Sequence, residues 1–212
     1  MTRIACIGDS LTWGFTLVDP WRQSYPALLG AMLGPEYEVR NFGCNGASVG
    51  FDADLPYVET QAYQASLAWG PDIVLLMLGS NDANPRDWGA DPGARGADPT
   101  AAAEAFRRDY CRIVAAYRAL PSRPRIILIA PIRIFRVMGW TFMDLSPETM
   151  EEQIRPTIRA IAAESGLELL DLVDLFTDPQ YCADGVHPQS TGTRLLAQAI
   201  YLNFVQINHH GK

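Results

Sequence analysis

Apolar and polar positions along this chain fall into two kinds of stretch that alternate. Short runs rich in β-branched and aliphatic residues occupy 3–7, 38–42, 72–78, 125–130 and 167–170, and longer stretches between them repeat apolar positions three and four residues apart. The short runs read as strands and the longer period as amphipathic helices. Two runs, Ile-Val-Leu-Leu-Met-Leu at 73–78 and Ile-Ile-Leu-Ile-Ala at 126–130, are apolar without alternation. Strands of that kind are covered by helices on both faces, so these two are expected at the centre of a parallel sheet.

Helix starts are marked by caps. Asp98-Pro99 offers an N-cap followed by proline at the first helical position, and Phe106, Tyr110, Ile113, Val114 and Tyr117 then recur at helical spacing, which predicts a helix of about four turns or more. Ser146-Pro147 precedes Glu148, Glu151 and Glu152, acidic residues well placed against the positive end of a helix dipole. The stretch 190–207 reads as a closing helix, with 207–212 as a frayed tail. Alternation of strand and helix predicts an α/β fold with a parallel sheet, as one domain over residues 1–212. Two stretches resist assignment: 84–97, rich in Gly, Pro and Asp, and 132–145, where Arg133 and Arg136 mix with Phe135, Trp140 and Phe142. Long connections of that kind tend to carry function, which makes both candidate substrate loops.

Composition narrows the partners. With 48% hydrophobic and 19% charged residues the chain is globular, and no apolar run reaches the roughly 18 residues a membrane span needs. A formal charge of −7 without a Lys/Arg cluster argues against nucleic acid and favours small or neutral ligands. The apolar stretch at the N-terminus is too short for a signal-peptide core, which points to the cytoplasm. Cys6, Cys44, Cys111 and Cys182 lie far apart without a C-x-x-C pair, so dispersed reduced thiols are the preferred reading and no metal site is expected. Self-association stays open.

The residues that can carry chemistry lie at strand ends. The first run leads directly into Gly8-Asp9-Ser10-Leu11, and the carboxyl ends of parallel strands are where ligands bind in such sheets. A serine hydroxyl is a weak nucleophile until a base takes its proton, and the base needs a third group to orient it. Asp184-Gly185-Val186-His187 supplies a carboxylate three residues before an imidazole, and His187 is the one histidine outside the terminal His209-His210 pair. Acyl transfer also needs donors for an oxyanion. Gly46, in the loop Asn41-Phe42-Gly43-Cys44-Asn45-Gly46, and Asn81, in Gly79-Ser80-Asn81-Asp82, are the candidates.

Blander readings apply to the neighbours. Asp9 and Asp82 read as acceptors for backbone N–H groups in tight turns. Cys44 and Cys182 read as packing or rim residues, and His209 and His210 as part of the tail. Trp13, Trp88 and Trp140 sit just beyond a motif or in an irregular loop, where their rings could line a substrate pocket; burial in the core is the alternative.

Taken together, the four blocks Gly8-Asp9-Ser10, 41–46, Gly79-Ser80-Asn81-Asp82 and Asp184-Gly185-Val186-His187 resemble those of the SGNH hydrolases, also called the GDSL esterase/lipase family. The resemblance implies a flavodoxin-like, three-layer α/β/α sandwich with about five parallel strands. It implies Ser10 as nucleophile, Asp184 and His187 as its partners, and an oxyanion hole made by the Ser10 N–H, Gly46 and Asn81, with no cofactor. It further implies a small ester substrate, acetyl esters of carbohydrates or aryl and alkyl acetates foremost. Acyl transfer, or thioester or lysophospholipid hydrolysis through a channel lined by Ile134, Phe135, Met138 and Phe142, would use the same residues. A carbohydrate-binding protein without turnover is the alternative of a different class. The G-x-S-x-G elbow of the α/β-hydrolases is absent, since Thr12 stands where its second glycine would be. Phosphate-binding glycine loops are absent as well.

Overall fold

The structure, a computed structural model, describes residues 1–88 and 98–210, the backbone alone at residue 99 and at 206–210. The part of the first candidate loop that spans 89–97 therefore lies outside the described residues. All five apolar runs are strands: β1 Thr2–Gly8, β2 Tyr37–Gly43, β3 Ile73–Met77, β4 Arg125–Ala130 and β5 Glu168–Asp171. They form one parallel sheet in the order β2-β1-β3-β4-β5, the flavodoxin-like arrangement. β3 and β4 sit inside the sheet, and every residue of β3 is buried, as an uninterrupted apolar run requires.

The helices are α1 Ser10–Trp13, α2 Pro20–Gln23, α3 Tyr25–Leu33, α4 Gln61–Trp69, α5 Pro99–Arg118, α6 Pro147–Thr149, α7 Arg155–Ser165 and α8 Ser190–His210. α3 and α8 pack together on one face of the sheet, and α4, α5 and α7 cover the other. Among the described residues no helix is long and apolar enough to cross a membrane.

The caps act as their chemistry dictates. The Asp98 side chain accepts the Thr100 N–H at 2.9 Å with Pro99 at the first helical position, and Ser146 Oγ accepts the Thr149 N–H at 3.0 Å. α6 runs into a π-helical turn at Met150–Ile154 before α7 begins. Pro156 has no N–H for the carbonyl four residues earlier and its ring crowds that group, which a wider turn relieves. α8 continues to His210, past the predicted end at 207, and upstream of that end it buries Leu196, Ile200 and Phe204.

Helices α3 and α4 escape the periodicity reading. α3 carries Pro26 and Gly30 inside nine residues, and in α4 only Ser66 is fully buried, so neither displays an apolar stripe that stands out from its flanks. Tertiary packing holds them: α3 packs on α8 and β2, and from α4 the Tyr63 ring meets Tyr117 edge-on at 6.1 Å while Ser66 Oγ lies 2.7 Å from the Tyr117 hydroxyl.

The sheet centre should dominate stability. Leu76 is fully buried on β3, and Leu76→Ala is expected to destabilise the protein by about 2–5 kcal/mol through lost burial and the cavity left behind. Urea denaturation at neutral pH measures this directly.

Candidate active site

Three adjacent strands deliver the site. Gly8 at the end of β1 pairs with Gly43 on one side and Met77 on the other, so the segments carrying Ser10, Gly46 and Asn81 leave the sheet side by side. Ser10 is the first residue of α1; Asp9 caps that turn by accepting the Leu11 N–H at 2.9 Å. The Ser10 N–H itself is one of the first-turn donors that a helix leaves without an internal partner.

The far end of the chain returns to the same place. Ser10 Oγ lies 2.8 Å from His187 Nε2, across 177 residues of sequence, and His187 Nδ1 lies 2.7 Å from Asp184 Oδ2. Asp184 Oδ1 also accepts the backbone N–H groups of Val186 at 3.0 Å and His187 at 2.8 Å. Burial pushes the Asp184 carboxyl up, but the bonds from the His187 ring and these two N–H groups outweigh it and hold the group below its ordinary range. A carboxylate only accepts, so Nδ1 carries a proton, and in the neutral ring Nε2 is then the acceptor that faces the serine hydroxyl. Ser10 and His187 are both buried, which keeps bulk water from competing for this bond. The arrangement can take a proton from Ser10 and return it to a second oxygen.

The turn that holds His187 is built tightly. Gly185 has φ +85°, and a Cβ there would stand 2.2 Å from the Phe135 carbonyl oxygen; the backbone of Phe135 donates to the Gly185 carbonyl at 2.8 Å. Loop 132–145 is thereby fastened to the histidine turn. Thr16 and Thr193 both donate their hydroxyls to the Pro188 carbonyl at 3.1 Å, fixing the other side.

Gly46 adopts φ +79°, a left-handed conformation that glycine takes without strain. The Asn81 side-chain amide donates to the Ala47 carbonyl at 2.9 Å, locking the two loops together while its second N–H is left over, since the group carries two. Asp82 accepts backbone N–H groups, as read from the sequence, but from the loop after β2 rather than from neighbours in its own turn. Its carboxylate accepts the N–H groups of Val49, at 2.9 and 3.0 Å, and of Gly50, at 3.0 Å.

The three candidate tryptophans lie in different surroundings. Trp88 is largely buried, giving its indole N–H to the Asp82 carbonyl at 2.5 Å and packing 6.0 Å from the Phe106 ring, and it borders a cavity with Gly50, Asp82 and Asp109 that Ser10 does not line. The ring is more valuable beneath the third block because its apolar body meets α5 there and its one donor finds a carbonyl. Trp140 stands in solvent beyond a tight turn that pairs it with Val137, and Trp13 meets Trp21 edge-on at 5.4 Å. The rings that touch the imidazole are Phe15 and Phe142, each 4.9 Å from the His187 centroid. Phe142 belongs to an anticipated loop. Phe15 gave no periodic signal, and its position one residue past Gly14 was the sole hint. Cys182 is buried and pushed up to about 12, and Cys44 is also raised by burial, so neither is a poised thiolate.

A central parallel sheet with a serine, an imidazole and a carboxylate joined in a chain at its carboxyl edge defines the class of serine hydrolase-like α/β/α sandwiches. Residues 6–195 match the GDSL-like lipase/acylhydrolase family, and the chain belongs to it. It is 32% identical over 206 residues to an acetylxylan esterase of Xylanibacter ruminicola, an alignment that takes 93% of this chain and 42% of the relative, so the chain spans well under half of that protein. Among solved structures, an arylesterase candidate from Agrobacterium tumefaciens str. C58 is 25% identical with a TM-score of 0.74, covering 98% of this chain and 100% of the other. Est24, a carbohydrate acetylesterase from Sinorhizobium meliloti, is 20% identical with a TM-score of 0.74 over 98% of this chain and 100% of its own, a likeness of fold.

Burial of Asp82 outweighs its two backbone donors and pushes its carboxyl up to about 7, and burial raises Asp9 in the same direction. Folding therefore binds protons at these groups. The contribution of Asp82 to stability is complete below the ordinary carboxylate range and is lost as pH rises through about 7, and Asp9 acts in the same direction. The melting temperature is expected to climb as pH is lowered from about 8 to about 5, and Asp82→Asn, which cannot take up that proton, should flatten the climb. Differential scanning fluorimetry across that range would show it; an equal climb in the variant would contradict the assignment to Asp82.

Proposed function

We propose that the protein is a serine esterase that hydrolyses small carboxylic esters through an acyl-enzyme on Ser10, with acetyl esters of carbohydrates or of aryl and alkyl alcohols as its substrates. The observation that carries the reading is the hydrogen-bonded chain from Ser10 through His187 to Asp184, at 2.8 and 2.7 Å. The family to which the chain belongs supports hydrolysis of acyl esters, and the acetylxylan esterase it resembles supports the acetyl preference.

In this mechanism Ser10 Oγ attacks the ester carbonyl carbon as its proton passes to His187 Nε2. The carbonyl electron pair moves onto oxygen, where the Ser10 N–H, the Gly46 N–H and the Asn81 amide receive it. Collapse of the tetrahedral species breaks the bond to the alcohol, and the imidazolium gives its proton to the departing oxygen. Water then enters, loses a proton to His187 and attacks the acyl carbon, and the same donors hold the second oxyanion until the acid leaves and Ser10 is reprotonated. Asp184 stays ionised throughout and stabilises the imidazolium. No step calls on a metal or an organic cofactor.

The reading is tested with p-nitrophenyl acetate, butyrate and octanoate. Wild type is expected to prefer acetate, and Ser10→Ala to lose about three orders of magnitude or more in kcat, since the nucleophile acts as a unit with its base. Undiminished turnover by Ser10→Ala would sink the proposal. Asn81→Ala is expected to lower kcat by about 100-fold with a smaller change in KM, the signature of a donor that bonds the oxyanion more strongly than the ground-state carbonyl.

A further inference from the structure

The imidazole of His187 lies against two phenyl rings that the ester-hydrolysis mechanism leaves without a task. Phe15 is tilted against it at 48° and Phe142 meets it edge-on at 90°, both with centroids 4.9 Å away, and the two phenyls are themselves 6.4 Å apart. Phe142 is partly covered, whereas Phe15 is 50% exposed. The half-exposed Phe15 ring thus puts apolar surface, open to an incoming molecule, directly beside the buried imidazole.

The backbone that presents Phe15 is not loose. Its N–H donates to the Ser10 carbonyl at 3.2 Å, Thr16 is tied to the Pro188 carbonyl at 3.1 Å, and Leu17 next to it is buried. Phe15 is thus a fixed ring with a free face, anchored between the nucleophile turn and the histidine turn. Opposite it, Met143 and Asp144, which follow Phe142, both have positive φ, at 51° and 58°. Non-glycine residues in that region cost energy and persist where surrounding structure imposes them.

Chemistry decides what such a ring would meet. In the acylation step the departing oxygen must come within hydrogen-bond reach of His187 Nε2 to receive its proton. The carbon skeleton of the leaving alcohol therefore begins beside the imidazole, where Phe15 is the neighbouring ring with an open face. We infer that Phe15 is the platform for the leaving group, and that the alcohols it favours present a flat apolar face: an aryl ring, or the C–H face of a pyranose. This inference rests on the esterase reading and adds the identity of the alcohol-side binding residue. Phe142, covered on its own loop, backs the imidazole from the other side.

The acetyl-enzyme is the same whichever alcohol has left, which makes the proposal separable from a role in holding His187. Wild type, Phe15→Ala, Phe15→Leu and Phe15→Tyr would be compared on p-nitrophenyl acetate, on per-acetylated methyl xyloside and on ethyl acetate, which has no flat leaving group. We expect kcat/KM on a flat substrate, relative to that on ethyl acetate, to fall about tenfold in Phe15→Ala, the size of a lost ring contact. Phe15→Tyr should restore it to within about twofold, and the loss on the nitrophenyl ester should appear in KM more than in kcat. A fall on the nitrophenyl ester alone would identify aryl alcohols as the occupants, and a fall on the xyloside alone would identify saccharides.

An equal loss on all three substrates, with kcat reduced, would overturn the proposal, because it would mean that the ring only positions the base. An unchanged ratio in a folded Phe15→Ala would overturn it as well. If Phe15→Ala does not fold, Phe15→Leu, which keeps bulk without a flat face, carries the same comparison. Absence of Ser10-dependent turnover in the wild type on every ester would refute the esterase reading itself, an outcome distinct from either.

Discussion

Every feature of the candidate site depends on the parallel ladder between β1 and its two neighbours. Parallel strands end at the same edge, and hydrogen bonding fixes which residues lie level there. With Gly8 paired to Gly43 and to Met77, the next few residues of three separate chain segments must share one small volume. The fourth segment, with Asp184 and His187, is brought to that edge by the crossover from β5 to α8. The 2.8 Å contact between Ser10 and His187 is the consequence: neither residue could find the other in a chain without that register.

Around this edge the protein spends buried polar groups to hold loops still. Asp82 binds two successive backbone N–H groups of the loop after β2, Asn81 binds the carbonyl of Ala47, and Trp88 binds the Asp82 carbonyl. A buried carboxyl is costly when charged, and the upward shift of Asp82 records that cost. The return is rigidity in the loops that carry Gly46 and Asn81. A second buried group works similarly on the other flank. The fully buried Arg155 joins Glu151 of the π-helical turn at 2.9 Å to Asp171 at the end of β5 at 3.2 Å, fastening α7 to the strand that precedes the Asp184 segment. Burial lowers its pKa and the two carboxylates oppose that shift.

The aromatic pair on His187 shows how position in the chain and position in space part company. Phe15 follows Ser10 by five residues and Phe142 precedes His187 by forty-five, yet both rings reach the same imidazole. Trp13, Trp88 and Trp140, the aromatic residues that loop composition brings forward, end in three different environments: an edge contact with Trp21, the core, and open solvent.

The sequence by itself determined the strands, the main helices with their caps, and the four blocks that meet at the site, because period, capping chemistry and turn residues are local properties written in neighbouring positions. Residues such as Asp98 and Ser146 announce helix starts wherever they sit, and the unbroken apolar run of β3 implies a strand covered on both faces. The tertiary structure alone decided which aromatic rings border the imidazole, that α3 and α4 are helices held by packing, that Trp88 belongs to the core, and that Asp82 is buried deeply enough to keep its proton near neutrality. Each of these depends on distances between segments far apart in the chain. Such distances are set by sheet register and by what packs above each strand end, and no local pattern encodes them.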